Sequence, residues 1–190
     1  MNKQESNLIP ALRLGLVCLV LCSVMYPLAV TGIGQLFFSY QANGSLTEDE
    51  NDNVIGSELI GQTFTDPALF QGRVSSIEND AAGSGTPNYA PSNPELISRT
   101  KDAIEAQQLA NPDGGPVPLD LVTNSGSGLD PHISVEAAEF QVPRIAEVRG
   151  IPEEELYNLI ERHRTSHLEE MLGAPAVNVL KMNVDLQALR

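Results

Sequence analysis

The longest apolar run of the chain lies near its N-terminus. Residues 14–38 form a stretch of 25 residues with only four polar or semi-polar positions, which are Ser23, Tyr26, Thr31 and Gln35. A helix of about 20 apolar residues is long enough to cross the hydrocarbon core of a membrane. A cleavable signal peptide has a shorter apolar core, of about 7–15 residues, and ends in a small-residue cleavage site that we do not find here. The pattern therefore predicts a retained transmembrane helix over residues 14–38.

Charged residues on either side of this span predict its orientation. Lys3 and Arg13 precede the span together with one acidic residue, Glu5. After the span, six acidic residues come before the next basic residue, Arg73. By the positive-inside rule, residues 1–13 are predicted to be cytoplasmic and the main domain extracytoplasmic. Residues 39–53, which end in an acidic polar run, are predicted to be a linker, and residues 54–190 a compact domain.

Helical spacing of apolar residues predicts three helices in this domain, over residues 94–110, 130–149 and 152–172. Asn93 and Pro94 fit the N-cap and first position of the first helix, and Asp130 and Pro131 fit those of the second. A proline inside the second helix, Pro143, is expected to interrupt it.

Two segments alternate apolar and polar residues and predict strands, at residues 118–123 and 177–184. Residues 83–94 contain three prolines among Gly, Ser, Thr and Asn, and are predicted to form a loop. Because strands and helices interleave along the chain, the sequence predicts an α/β domain.

Composition argues against nucleic acid as a partner and against disulfide bonds in the domain. The chain has 25 acidic and 11 basic residues and a formal net charge of −14; beyond the span, 9 basic and 24 acidic residues remain. Such a surface repels phosphate backbones, and no basic cluster offsets this, so we expect no nucleic-acid binding. Both cysteines, Cys18 and Cys22, lie in the predicted span, so no disulfide is expected in the domain.

The predicted membrane helix carries a stripe of mostly small residues at spacings of three and four, namely Gly15, Cys18, Cys22, Met25, Ala29 and Gly32. Residues at this spacing share one helix face. Small side chains let helices approach each other closely in lipid. We therefore predict that this stripe docks against another helix while the other faces contact membrane lipid. The alternative is that small residues are simply common in spanning helices.

The most unusual local sequence is a Gly/Ser loop followed by Asp-Pro-His, with the residues Ser125, Gly126, Ser127, Gly128, Asp130, Pro131 and His132. Such loops can bind anions through backbone amides, but the lysine of a phosphate-binding P-loop is missing. Acid–base chemistry at Asp130 and His132 with a serine nucleophile is an alternative, although a helix-capping role for Asp130 is favoured.

Two further candidates lie outside this loop. The segment Gln71, Gly72 and Arg73 combines a turn with the only basic residue between Arg13 and Arg99, and Arg73 could bind a carboxylate. His163 and His167 lie four residues apart on a predicted helix, but Arg164 occupies the position of the glutamate in a zinc protease motif. A partly buried helix flank is the favoured interpretation, and no metal site is predicted.

Several motifs together are typical of one family. They are Gly56-Ser-Glu-Leu-Ile-Gly-Gln62, Phe70-Gln-Gly-Arg73, Pro91-Ser-Asn-Pro94, Asp120-Leu-Val-Thr123, Ser125-Gly-Ser-Gly-Leu-Asp-Pro-His-Ile-Ser134 and Val177-Asn-Val-Leu180. They resemble motifs of the C subunits of the bacterial Kdp potassium-transporting P-type ATPases, from the anchor to nearly the C-terminus.

The resemblance implies a single-pass subunit of the bacterial cell membrane that works within a potassium pump. Its implied partners are a channel-like subunit that carries potassium, a P-type subunit that hydrolyses ATP with magnesium, and a small single-helix subunit. The expected role is accessory: to stabilise assembly of the channel-like and P-type subunits and to cap the outer ion entrance, without catalysis by this chain itself. Two alternatives stay open, a subunit that binds ATP and raises the ATP affinity of the pump, and a stand-alone membrane-anchored enzyme.

Overall fold

The computed structural model describes residues 7–48, 53–166, 168, 171 and 173–189, and the chain divides into two compact units between Leu46 and Thr47. The predicted linker over residues 39–53 therefore lies partly outside the described residues.

The first unit is dominated by a continuous helical segment of 30 residues, Leu8–Phe37, which is long and apolar enough to cross a membrane. It consists of α1 (Leu8–Val20), a π-helical turn (Leu21–Met25) and α2 (Tyr26–Phe37), and a short helix α3 (Ser39–Ala42) follows. At about 1.5 Å per residue the segment is about 45 Å long. The helix begins six residues before the predicted span and includes Arg13.

The π-helical turn has an identifiable cause in the proline that follows it. Pro27 has no backbone N–H, and its ring would clash with the carbonyl group four residues earlier, at Ser23. The chain widens over the preceding turn, where the N–H of Tyr26 donates to the carbonyl of Leu21, five residues back. Helix α2 then continues from Tyr26 without a break.

Short strands and helices follow from Leu46 onward, all but Leu46 itself in the second unit. They are β1 (Leu46–Glu48), β2 (Val54–Ser57), a 3₁₀ turn (Ala81–Gly83), α4 (Pro94–Ala110), a second 3₁₀ turn (Leu119–Leu121), β3 (His132–Ser134), α5 (Val135–Glu139), α6 (Val142–Arg149), α7 (Glu153–His163), β4 (Ala176–Asn178) and α8 (Val179–Ala188). The strands form two two-stranded sheets, β1–β2 and β3–β4. In the antiparallel pair β3–β4, Ile133 lies opposite Val177. The unit thus mixes helices and strands, but the described strands are only three or four residues long.

Three of the predicted helix boundaries were correct, at Pro94, Pro143 and Gly150. Helix α4 has the predicted bounds, and the side chain of Asn93 accepts a hydrogen bond from the N–H of Glu95 at 2.8 Å. Pro143 stands in the first turn of α6 and so separates this helix from α5. Gly150 ends α6 in the left-handed conformation, with φ of +68°.

Both strand predictions in this unit were wrong in type or extent. Residues 118–123 contain a 3₁₀ turn at Leu119–Leu121 in place of a strand. Only Ala176–Asn178 of the C-terminal segment is a strand, because the side chain of Asn178 accepts a hydrogen bond from the N–H of Lys181 and caps α8. Alternation over so few residues does not distinguish a strand from a turn or from the start of a buried helix.

The helix bounds also needed correction at two places. No helix starts at Asp130; residues 132–134 form β3, and Ser134 is the N-cap of α5, accepting from the N–H of Ala137 at 3.0 Å. Helix α7 ends at His163 instead of continuing to residue 172, because Arg164 is extended and forms a bridge with Val177. A tertiary contact with β4 therefore ends this helix.

The core lies between β3–β4 and helices α5 to α8. Its fully buried side chains come from every one of these elements, from the segment before Gln71 and from the second 3₁₀ turn; the largest are Phe70, Leu121, Ile133, Ile145, Leu156, Leu159, Ile160, Met182 and Leu186. Helix α4 contributes none, since none of its 17 residues is buried.

Candidate functional site

The Gln71–Arg73 segment and the Gly/Ser loop, which we define as residues 125–130, meet in the structure. The guanidinium group of Arg73 donates from Nη1 to Oδ2 of Asp130 at 3.0 Å. The two side chains are 26% and 31% exposed, so the ion pair is only partly accessible to water. The carboxylate that Arg73 binds is thus that of Asp130, at the end of the loop.

Asp130 also binds the residue that the loop leads into. Its Oδ1 accepts from the N–H of His132 at 3.0 Å, and Nδ1 of the His132 ring lies 3.5 Å from the same oxygen. Hydrogen bonding from the His132 side chain is the main cause that lowers the pKa of Asp130 to about 2, with further contributions from the backbone N–H of His132 and from Arg73. Asp130 is therefore an ionised acceptor at neutral pH, and its predicted role as a helix cap was wrong.

Two buried amide side chains hold the segment that presents Arg73. Asn183 of α8 accepts from the N–H of Phe70 at 2.8 Å and donates to its carbonyl at 2.9 Å. Gln141 does the same for Gln71, at 2.8 and 3.1 Å. Asn183 is 2% exposed and Gln141 0% exposed. Each side-chain amide thus supplies the hydrogen bonds that a neighbouring strand would otherwise provide to these buried backbone groups.

A buried arginine extends this network. The side chain of Arg144 donates to Oδ1 of Asn111 and to Oε1 of Gln141, both at 2.8 Å, and also to the carbonyls of Pro67 and Leu69. Burial lowers the pKa of Arg144. No carboxylate lies within 4 Å of it in the described part of the chain, so neutral oxygens solvate this cation. The network fixes the start of the Gln71–Arg73 segment to α6 and to the end of α4.

Three backbone amides of the Gly/Ser loop are engaged within the loop itself. The N–H of Ser127 donates to Oγ of Ser125, that of Gly128 to the carbonyl of Ser125, and that of Leu129 to Oγ of Ser127. An anion bound by the loop would have to displace these bonds. The geometry therefore favours a self-supporting turn over an anion cradle.

The loop also packs against residues 75–85, where Gly128 is required. Its φ is +71°, and a Cβ atom at this position would lie 2.7 Å from Cγ1 of Ile77 and 2.8 Å from the carbonyl oxygen of Gly85. The carbonyl of Gly128 accepts from Oγ of Ser75 at 2.7 Å, and that of Ser127 from the N–H of Gly85 at 2.7 Å. The loop is thus bound on both sides by other parts of the chain.

Comparison with known proteins identifies the family to which these motifs belong. The family described as "KdpC: K+-transporting ATPase, c chain" matches residues 8–188. The chain belongs to the KdpC family. Proteins named "Potassium-transporting ATPase KdpC subunit" from Bacillus cereus, Bacillus mycoides and Bacillus anthracis are 51%, 50% and 50% identical to it, over 100% of this chain and 99% of each relative. The expected family is therefore confirmed, and with it a role as a subunit of a potassium-transporting ATPase.

The small-residue stripe of this KdpC-family chain is altered by the π-helical turn. Cys22 and Met25 lie within that turn, with Gly15 before it and Gly32 after it. Because an i to i+5 turn adds a residue to one helical turn, the positions after it are rotated relative to those before it. The stripe therefore divides into two short faces, Gly15 to Cys22 and Met25 to Gly32, and docking against another helix stays a prediction.

Of the predicted histidine pair, the structure describes only His163. His163 is the last residue of α7, and its Nε2 lies 2.9 Å from Oδ2 of Asp185 on α8. His167 lies outside the described residues. Among the described residues no cluster of three or more His, Cys, Asp or Glu side chains forms a candidate metal site.

Sequence reasoning missed Gln141, Arg144 and Asn183, although each is buried. One signal was present in the sequence, because Gln141 stands between Phe140 and Val142 in an apolar part of the chain. A polar residue in such a position must find hydrogen-bond partners. Which backbone groups those partners are depends on the fold.

Proposed function

We propose that this chain is the accessory, non-transporting subunit of an ATP-driven potassium pump. In this role it stabilises the assembly of the channel-like potassium subunit with the P-type ATPase subunit and caps the outer ion entrance. Membership of the KdpC family supports a role in such a pump.

The observation that carries the proposal is the single candidate membrane span. Leu8–Phe37 is the one helix in the described residues that is long and apolar enough to cross a membrane, and one helix cannot enclose an ion pathway. The sequence also contains no Asp-Lys-Thr-Gly motif of the kind that P-type pumps phosphorylate. Transport and ATP hydrolysis are therefore assigned to partner subunits, and ATP with magnesium to the catalytic one.

The distribution of charge supports an outer location for the domain. The N-terminal flank carries Lys3 and Arg13 against Glu5, whereas the domain after the span is strongly acidic. The positive-inside rule then favours a cytoplasmic N-terminus and an extracytoplasmic domain. A domain on that side can contact the outer mouth of a channel-like subunit but cannot reach cytoplasmic ATP.

The architecture of the site supports an assembly role over catalysis. Arg73 and Asp130 bind each other, and the amides of Ser127, Gly128 and Leu129 donate to acceptors within the loop. Binding of ATP by this chain is the alternative function, and it would require the loop to exchange these internal bonds for phosphate contacts. Titration of the full-length chain with ATP up to millimolar concentration tests it: saturable binding that fails in Gly128→Ala would favour the alternative.

Purification of the tagged full-length chain in mild detergent from potassium-starved bacteria tests the main proposal. We expect the channel-like and P-type subunits to remain bound and to be identified by mass spectrometry. Recovery of the chain alone would contradict the proposal, and substrate turnover by that isolated chain would favour a stand-alone enzyme.

Orientation is tested by cysteine labelling in intact cells. Ser92→Cys places a thiol in the domain, and Asn7→Cys places one before the span. An impermeant maleimide should label the first without cell lysis and the second only after lysis. The reverse pattern would contradict an outer cap.

A further inference from the structure

The helical segment Leu8–Phe37 is longer than the hydrocarbon core of a membrane. Its 30 residues span about 45 Å, whereas the core is about 30 Å thick and the bilayer with its headgroups about 40–45 Å. Placing the whole segment in the core would need a tilt of about 48°, which exceeds the range of about 0–40° found for transmembrane helices. Part of the segment therefore lies in the polar layer of the membrane.

Both ends of the segment belong outside the hydrocarbon core. Phe38 breaks the helix with φ of −137° and ψ of 41°, and the N-cap Asn7 makes no side-chain hydrogen bond to the first turn. Free backbone N–H and carbonyl groups at helix ends are costly in hydrocarbon and find partners in the polar layer. Tyr40 follows the break, as is usual at a membrane–water interface. The segment thus runs from one headgroup layer to the other.

This placement sets the depth of Arg13. Arg13 lies 24 residues before Phe37. This separation corresponds to about 36 Å along the helix, or about 34 Å across the membrane at the average tilt of about 20°. Both distances exceed the core thickness of about 30 Å by about 4–6 Å, which lies within the headgroup layer. The exposed side chain of Arg13 is therefore at the level of the lipid phosphates.

Arg13 is also a charge without a counter-charge in this part of the chain. It is the only charged residue between residues 7 and 46, and no carboxylate lies within 4 Å of it among the described residues. Its neighbours on the same helix face, Ile9, Leu16 and Val17, are apolar and 59%, 64% and 52% exposed. Such a site needs a partner that combines negative charge with apolar surface. A phospholipid has both, in its phosphate and its acyl chains.

The direction of Arg13 distinguishes lipid from a second helix as the partner. At about 100° per residue, Gly15 and Cys18 of α1 lie about 160° and about 140° around the helix from Arg13. Both belong to the small-residue stripe that we predict to dock against another helix. Arg13 is thus on the opposite side of α1, which faces lipid when the stripe is docked. A carboxylate on the docked helix would have to reach around α1 to meet it.

We propose that Arg13 binds the phosphate of a membrane phospholipid and so fixes the depth of the helix in the membrane. The planar guanidinium group donates two parallel hydrogen bonds to one phosphate, and Leu16 and Val17 lie against the acyl chains. Anionic phospholipids are favoured, because a negative membrane surface attracts basic residues near it. The inference needs the helix to cross the membrane, but it does not depend on the accessory role.

Native mass spectrometry of the purified full-length chain tests this binding. In detergent containing phosphatidylglycerol, Arg13→Gln should retain about fivefold less lipid than wild type, which corresponds to about 1 kcal/mol for one basic residue near a membrane surface. Arg13→Lys keeps the charge and should retain more lipid than Arg13→Gln. Arg162→Gln removes an exposed arginine of α7 and is the matched control, with unchanged retention. Equal retention by wild type and Arg13→Gln would overturn the inference.

A photoreactive lipid headgroup locates the site. A phosphatidylglycerol analogue with such a headgroup, reconstituted with the full-length chain, should label residues 8–17 in wild type and label them less in Arg13→Gln. Labelling confined to the other end of the segment, near Tyr40, would overturn the inference, as would labelling of residues 8–17 that is unchanged in Arg13→Gln. Release of the wild-type chain from membranes by an alkaline wash would overturn both the span and the inference.

Discussion

The side chain of Arg73 donates a hydrogen bond to the carboxylate of Asp130 at 3.0 Å and so joins two segments that lie 57 residues apart in the chain. Each partner is fixed by further contacts. Gln141 holds the backbone of Gln71, two residues before the arginine, and the N–H of His132 donates to the aspartate. The ion pair thus connects two motifs of the KdpC family within one fold.

This geometry predicts a pH dependence of stability. The pKa of Asp130 is about 2 in the folded chain, below the usual 3.8. A lowered pKa stabilises the fold fully above pH 3.8, and the contribution is lost as the pH falls toward 2. We expect it to be about 1–2 kcal/mol, because the pair is partly screened by water. In urea unfolding of the full-length chain in detergent, the difference between wild type and Asp130→Asn should shrink between pH 5 and pH 2.

The exposed Asp113 provides the control for that experiment. Asp113→Asn should differ from wild type by less than about 0.5 kcal/mol at every pH, as is usual for surface substitutions. A difference between wild type and Asp130→Asn that is the same at pH 5 and pH 2 would show that the Asp130 carboxylate is not stabilised in the fold.

A second prediction concerns glycines of the loop. Gly128→Ala should destabilise the chain by about 1–3 kcal/mol, because φ is positive there and the added methyl group would meet Ile77 and the carbonyl of Gly85. Gly126→Ala is the matched control, since a methyl group added there would have no neighbouring atom within 4 Å. Thermal unfolding in detergent should show a lower midpoint only for Gly128→Ala. Equal midpoints for the two variants would mean that the loop accommodates a side chain at residue 128.

A third prediction concerns the buried amide of α8. Asn183→Leu removes both hydrogen bonds to Phe70 and leaves the N–H and carbonyl of that residue buried without partners. We expect a loss of about 2–4 kcal/mol in the free energy of unfolding. Gln187→Leu, an exposed position of the same helix, should be nearly neutral. Comparable losses in the two variants would point to a general effect of leucine on α8.

A fourth prediction concerns the membrane helix. Gly15→Leu combined with Ala29→Leu adds bulk to both halves of the divided stripe and should reduce the yield of the other subunits in co-purification, because close approach of helices needs small side chains. Ser23→Leu adds similar bulk off the stripe and is the control. Unchanged recovery of partners with the double variant would exclude this stripe as a docking face.

The local elements that the sequence predicted well are those set by proline, glycine and capping residues. Pro94 with Asn93 begins α4, Pro143 divides α5 from α6, and Gly150 ends α6. These residues act through their own backbone geometry, so their effect does not depend on distant contacts. The wrong predictions rested on short patterns that distant contacts overrode, such as the strand over residues 177–184 and the helix start at Asp130.

The sequence by itself determined the apolar helix near the N-terminus, the acidic charge of the domain and the family. Length, hydropathy and motifs are properties of the linear sequence, so they can be recognised without a tertiary structure. Only the fold decided that Arg73 binds Asp130, that Gln141 and Asn183 hold residues 70 and 71, and that α7 ends at His163. These contacts join residues that are far apart in the chain, and no local pattern encodes which of many polar groups a buried side chain will meet.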